Sequence, residues 1–122
     1  MQTLAVYNFK GGVGKTATAV NCGYLSARAG QRTLVWDLDP QGAATFTFRI
    51  RPKLEGGARA LLRGGGDLLA SIRATDFHGL DLLPADFSCR PLDLELESSE
   101  RPEQRFCQMI APLAAHYDRL VL

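Results

Sequence analysis

Hydrophobic and polar positions along the chain fall into two rhythms. Short apolar runs stand at Thr3–Tyr7, Thr33–Trp36, Leu80–Leu83 and Arg119–Leu122, and each reads as a buried strand. Between the first two runs the spacing changes. Ala19, Val20, Gly23, Tyr24 and Ala27 recur at steps of three and four, which predicts a helix from about Lys15 that Gly30 ends as a C-cap. Phe106, Met109, Ile110, Leu113 and Tyr117 repeat that spacing, with Ser99 as a candidate cap and a kink expected at Pro112. The middle has weaker rhythm. Pro52, Gly56-Gly57 and Gly64-Gly65-Gly66 mark loops around one short helix near 58–63, and Asp67 caps another running to Ile72.

Strands that alternate with helices predict an α/β fold, a mostly parallel twisted sheet flanked by helices. At 122 residues the chain is one small domain around one core. The net charge of +1 gives no global signal for nucleic acid, but the halves differ. Residues 1–61 hold eight Lys/Arg against three Asp/Glu, and residues 62–122 hold six against ten, so the basic N-terminal half suits an anionic ligand. The acidic cluster from Asp93 to Glu103 reads as a solvated face. Cys22, Cys89 and Cys107 are odd in number and widely spaced, which supports neither a zinc site nor a disulfide framework. Free thiols point to a reducing, cytoplasmic compartment. No signal peptide is visible, and no apolar run reaches the ~18 residues of a membrane span.

The chemistry gathers at residues 8–18, NFKGGVGKTAT. A loop between a strand and a helix N-terminus directs backbone N–H groups outward, where the helix dipole adds about half a positive charge. Gly11, Gly12 and Gly14 let that backbone approach phosphate oxygens, and Lys15 can reach the β- and γ-phosphates. Thr16 offers a hydroxyl to Mg²⁺ bridging the same phosphates. The usual phosphate loop, however, has a glycine where this chain has Phe9, and here a second lysine, Lys10, opens the loop. Lys10 is either a solvated lysine at a loop edge or a cation serving a nucleotide held by a second copy of the chain.

Asp37 and Asp39 follow the second strand, whose C-terminal end faces the ligand crevice whether it lies beside the first strand or one strand away. Asp39 is assigned to positioning an attacking water and Asp37 to the Mg²⁺ shell. The competing readings are a turn former for Asp39 and a structural cap for Asp37.

KGGVGKT at 10–16 together with DLDPQGAAT at 37–45 resembles the deviant Walker A ATPases, the ParA/MinD group. The DPQG element is similar to the ParA-type chromosome and plasmid partition ATPases. GLDLLPA at 79–85 and YDRLVL at 117–122 are similar to later strands of that family. The resemblance implies a P-loop fold that binds and hydrolyses ATP with Mg²⁺. It implies an ATP-dependent homodimer, a ParB-type partner and binding to non-specific DNA, with no membrane. By the same resemblance Gly11, Gly12, Val13, Gly14, Lys15, Thr16 and Ala17 bind nucleotide, and Lys10 reaches the partner copy's phosphates. Lys15 is the Walker A lysine, Thr16 the metal ligand, and Asp39 helps to activate water. Ala17 stands where the family often has Thr, which removes an α-phosphate hydrogen bond worth about 1 kcal/mol. The family's Walker B aspartate is expected directly after YDRLVL. Residues 1–122 are therefore expected to be the N-terminal part of a single ATPase domain, with weak or absent turnover alone. A sheet cut there is expected to leave an unpaired edge. A deviant Walker A ATPase for another cargo, or a nucleotide-binding regulatory module without turnover, are the alternatives.

Overall fold

A computed structural model describes residues 1–51, 68–85 and 101–122. In chain order these form β1 (Gln2–Leu4), α1 (Lys15–Arg28), β2 (Thr33–Trp36), α2 (Ala43–Thr47), α3 (Leu68–Ser71), β3 (Arg73–Ala74), β4 (Leu80–Leu83) and α4 (Pro102–Ile110). A 3₁₀ helix (Ala111–Ala115) and β5 (Arg119–Val121) complete them. The strands make one five-stranded sheet in the order β1-β5-β2-β4-β3. All neighbours run parallel except β3 against β4. β2 therefore lies one strand away from β1, with β5 between them, and Leu34 pairs with Leu120 just as Thr3 does.

β5 is hydrogen-bonded on both sides, so among the described strands the unpaired edges are β1 and β3 and not the last strand. β1 also differs from the expected Thr3–Tyr7. It ends at Leu4, although Val6 N–H still donates to Leu122 O at 2.9 Å and Leu122 N–H to Leu4 O at 2.8 Å. Tyr7 is 85% exposed, because by then the chain has left the sheet for the loop.

Alternation along each strand divides the core between the two faces of the sheet. Leu34, Trp36, Leu83 and Leu120 pack with Leu68, Leu113 and Tyr117 on one face, where Phe106, Met109 and Ile110 of α4 close over them. Val35, Leu80, Leu82 and Val121 pack on the other with Ala19 of α1 and Phe48. Trp36 and Phe106 stack at 5.8 Å between centroids, 9° from coplanar. The late helix is split at the proline. α4 stops at Ile110 and Pro112 sits in the first turn of the 3₁₀ helix, where its missing N–H costs nothing. Tyr117 lies beyond both helices and donates its hydroxyl to Asp81 Oδ2 at 2.7 Å, and its burial, with that bond, raises the phenol's pKa above the ordinary value.

The expected cap at Asp67, the helix near 58–63, the Ser99 cap, Cys89 and most of the acidic cluster lie outside the described residues. α2 and β3 were not expected; at five and two residues neither is long enough to show a period.

Candidate functional site

The glycine loop ends where α1 begins. Gly14 is the N-cap in the left-handed region, φ 90° and ψ 16°, and no side chain caps the helix. No acidic residue stands in its first turn. The first intrahelical bond runs from Thr18 N–H to Gly14 O at 2.9 Å, so the positive end of a 14-residue helix opens onto the loop. Gly12 is also left-handed, at φ 73°. A Cβ built on Gly11, Gly12 or Gly14 meets nothing within 4 Å, so packing does not require glycine at any of the three. Backbone conformation requires it at Gly12 and Gly14. At Gly11 what the small residue provides is an unobstructed main chain for an oxygen ligand.

Two internal bonds shape the loop. Lys10 N–H donates to Asn8 Oδ1 at 2.9 Å, and Lys15 Nζ donates to Lys10 O at 3.1 Å. Lys15 thus lies back along its own loop while Lys10 is exposed. Beside the loop is a cleft of about 430 Å³ at the C-terminal end of the sheet. Lys15, Thr16, Asp37, Asp39 and Pro40 line it, with Asn8 and the last residue of the final strand run, Leu122. The topology explains the gathering, since parallel strands β1, β5 and β2 all deliver their C-terminal ends there. Lys10, Gly11, Gly12, Val13, Gly14 and Ala17 stand on the exposed loop and first helical turn bordering it.

The two aspartates differ in setting. Asp37 is 6% exposed. Its Oδ2 accepts both Thr45 N–H and Thr45 Oγ1–H at 2.7 Å, and its Oδ1 accepts Asp39 N–H at 3.2 Å. It therefore caps α2 from eight residues upstream. Asp39 is exposed, and its Oδ1 accepts Gln41 N–H at 2.9 Å in an Asx turn. Both competing structural readings are thus fulfilled, and both residues still line the cleft.

No group of three or more His, Cys, Asp or Glu side chains capable of holding a metal exists among the described residues. Mg²⁺ bound with a triphosphate takes few protein oxygens and keeps phosphate oxygens and waters. Thr16 and Asp37, which both line the cleft, carry a hydroxyl and a carboxylate that could serve it.

Sequence reasoning missed Thr45 as a part of this site. It is 1% exposed, it holds Asp37 as above, and its Oγ1 accepts Ala85 N–H at 2.9 Å. The sequence signal was its place as the last residue of DLDPQGAAT at 37–45. It missed Tyr7 as well, which is 85% exposed at the cleft and stands near exposed Phe9 in the sequence.

Residues 1–122 match the AAA domain family. The chain is 34% identical over 120 residues to the sporulation initiation inhibitor protein Soj of Bacillus subtilis, covering 98% of this chain and 47% of that protein. It is 33% identical over 117 residues to the chromosome partitioning protein ParA of Caulobacter vibrioides, covering 95% and 44%. Among solved structures it superposes on cobyrinic acid a,c-diamide synthase from Mycobacterium smegmatis with bound ATP analog and magnesium. There the TM-score is 0.86 and the identity 34%, over 99% of this chain and 50% of that one. Apo McdA of Cyanothece shares the fold at a TM-score of 0.87 and 24% identity, over 99% and 48%. The chain spans about half the length of the curated relatives it matches.

Proposed function

This chain belongs to the AAA domain family, among its ParA-type P-loop ATPases, and from that membership we propose that it supplies the phosphate-gripping part of a partition ATPase. The observation that carries the proposal is one juxtaposition. Left-handed Gly12 and Gly14, the uncapped start of α1, Lys15 and two aspartates meet at one cleft.

The loop amides at Gly11, Gly12, Val13, Gly14, Lys15, Thr16 and Ala17 are assigned to phosphate oxygens. The Lys15 ammonium leaves its carbonyl partner in the loop to neutralise the terminal phosphates. Thr16 and Asp37 are assigned to Mg²⁺, which supplies charge neutralisation across the phosphate oxygens when bound. Asp39, exposed and fixed by its Asx turn, is assigned to orienting the attacking water. The exposed side chain of Lys10 is assigned to the phosphates of a second copy, acting as an arginine finger does.

Residues 1–122 are proposed as the N-terminal part of a single P-loop ATPase domain that retains nucleotide binding, with weak or absent turnover alone. The intact protein is proposed to dimerise with ATP, to bind non-specific DNA and to answer to a ParB-type partner in the cytoplasm. The chromosome-partitioning name of the Caulobacter relative supports the partition role. Among the described residues no helix is long and apolar enough to cross a membrane.

Calorimetry with Mg²⁺ and a slowly hydrolysed ATP analogue tests the site. The chain is expected to bind the analogue and Lys15→Ala to abolish binding; in the intact protein Lys10→Ala is expected to spare binding while impairing the nucleotide-dependent dimer, measured by light scattering. A chain that takes up no analogue sinks the assignment, and a dimer indifferent to Lys10→Ala removes the role across the interface.

A further inference from the structure

One buried hydrogen-bond relay at the cleft has an end that the proposed ATPase chemistry leaves unused. Asp37 Oδ2 accepts two bonds from Thr45, one from its amide and one from its hydroxyl, both at 2.7 Å. The same hydroxyl oxygen accepts the amide of Ala85 at 2.9 Å, forty positions further along the chain. Thr45 and Ala85 are each 1% exposed and Asp37 is 6% exposed, so water does not compete for these bonds. Asp37 N–H, in turn, donates to Leu83 O at 3.0 Å, which closes a ring between the end of β2 and the end of β4.

We infer that Thr45 is a positioning residue for Asp37, and that through it the acidic floor of the cleft is tied to the backbone where the chain leaves β4. A hydroxyl has one proton and two lone pairs. The Thr45 proton is committed to Asp37, because its other neighbour in the relay is an N–H that can only donate. The carboxylate's Oδ2 is thereby saturated with two short bonds, one of them charge-assisted from a hydroxyl. Only Oδ1, which holds a single long bond from Asp39 N–H at 3.2 Å, has capacity left to face the cleft. Thr45 thus chooses which carboxylate oxygen is presented and fixes its rotamer. Through the same Oδ1 it also sets the backbone of Asp39, whose own carboxylate is on the cleft. Valine has the same shape without the hydroxyl, and serine has the hydroxyl without the methyl, so the role can be separated from packing.

The inference rests on the reading above in one respect, the assignment of Asp37 to Mg²⁺. Binding of a slowly hydrolysed ATP analogue is measured by calorimetry with Mg²⁺ and with EDTA. For Thr45→Val the Mg²⁺-dependent part of the affinity is expected to fall by about 10- to 100-fold, the range for losing a partner that orients a metal ligand. The EDTA affinity is expected to be unchanged, and Thr45→Ser to restore the Mg²⁺ increment. Equal losses with Mg²⁺ and EDTA mean a packing role and overturn the inference, as does an intact Mg²⁺ increment in Thr45→Val. A wild-type chain that binds no analogue overturns the ATPase reading and this inference with it. A wild-type chain that binds but gains nothing from Mg²⁺ overturns this inference alone. Should Thr45→Val fail to fold, amide exchange on the wild-type chain decides. The Ala85 amide is expected to exchange more slowly when Mg²⁺ and the analogue are added, and an unchanged rate overturns the tie between cleft and β4.

Discussion

Arg49 is the one non-glycine among the described residues with positive φ, at 58°. It follows α2 as the C′ residue of a Schellman motif, with Arg49 N–H on Phe46 O at 2.9 Å and Ile50 N–H on Thr45 O at 3.1 Å. Ile50 then packs beside Phe48. A left-handed L-residue costs roughly 1–2 kcal/mol, against which glycine's extra chain entropy costs about 0.5–1 kcal/mol. Arg49→Gly is therefore expected to stabilise the chain by about 0.5–1 kcal/mol in urea melts, and a destabilised variant would mean that the arginine makes contacts worth more than its strain. At this scale the phosphate loop was legible in the sequence, because glycine, lysine and threonine identities state their chemistry within eight residues. Thr45 was not. Its partners stand eight and forty positions away, and only the folded sheet brings them together.

The position of α1 on the sheet depends on a missing side chain. A Cβ on Gly23 would come within 2.5 Å of Val35 Cγ2, and Val35 is 1% exposed with a stiff, branched side chain. Gly23 therefore sets how closely the helix lies on β2, and so how far Lys15 and Thr16 at its start stand from Asp37 at the end of that strand. Alanine would gain about 1 kcal/mol of helix propensity. Overpacking a filled core costs about 1–3 kcal/mol, so Gly23→Ala is expected to destabilise by up to about 2 kcal/mol net, with a lowered melting midpoint. It is also expected to weaken nucleotide binding by lifting the start of α1, whereas a stabilised variant would show that Val35 can turn aside. Elements of this kind were legible where period and length were sufficient. β2 and β4 stand at the expected residues, and α1 starts at Lys15. The late helix kept its apolar stripe but lost its last turn to Pro112. The helix register of Gly23 predicted burial, and it gave no sign that a methyl group would collide there.

For the molecule as a whole the strand order matters most, and local pattern could not supply it. Four apolar runs say that a sheet exists, but which run lies between which is decided by the crossovers. β5, last in the chain, joins β1 to β2, which do not pair with each other. Its entry is pinned at the end of the sheet remote from the cleft. Asp118, just before β5, accepts from Arg32, just before β2, at 2.8 Å from Nη2 to Oδ1 and 3.1 Å from Nε to Oδ2. Arg32 N–H adds a bond to Oδ2 at 2.9 Å, and Gln2 N–H donates to Asp118 O at 2.8 Å. Three strands are thereby registered at one residue. The guanidinium and amide bonds hold the Asp118 carboxyl at about 2, below the ordinary 3.8. Because the folded pKa is depressed, the contribution to stability is fully present above the unfolded value and is lost as pH falls through the folded one. Melting temperatures of the chain and of Asp118→Asn are expected to differ most above about pH 4 and to converge between pH 4 and pH 2. The pair is largely solvent-facing, so the gap is expected to be small and to narrow with added salt. A gap that stays constant from pH 6 to pH 2 would mean that asparagine fails for its geometry alone, and that the charge on Asp118 does not hold β5 in place.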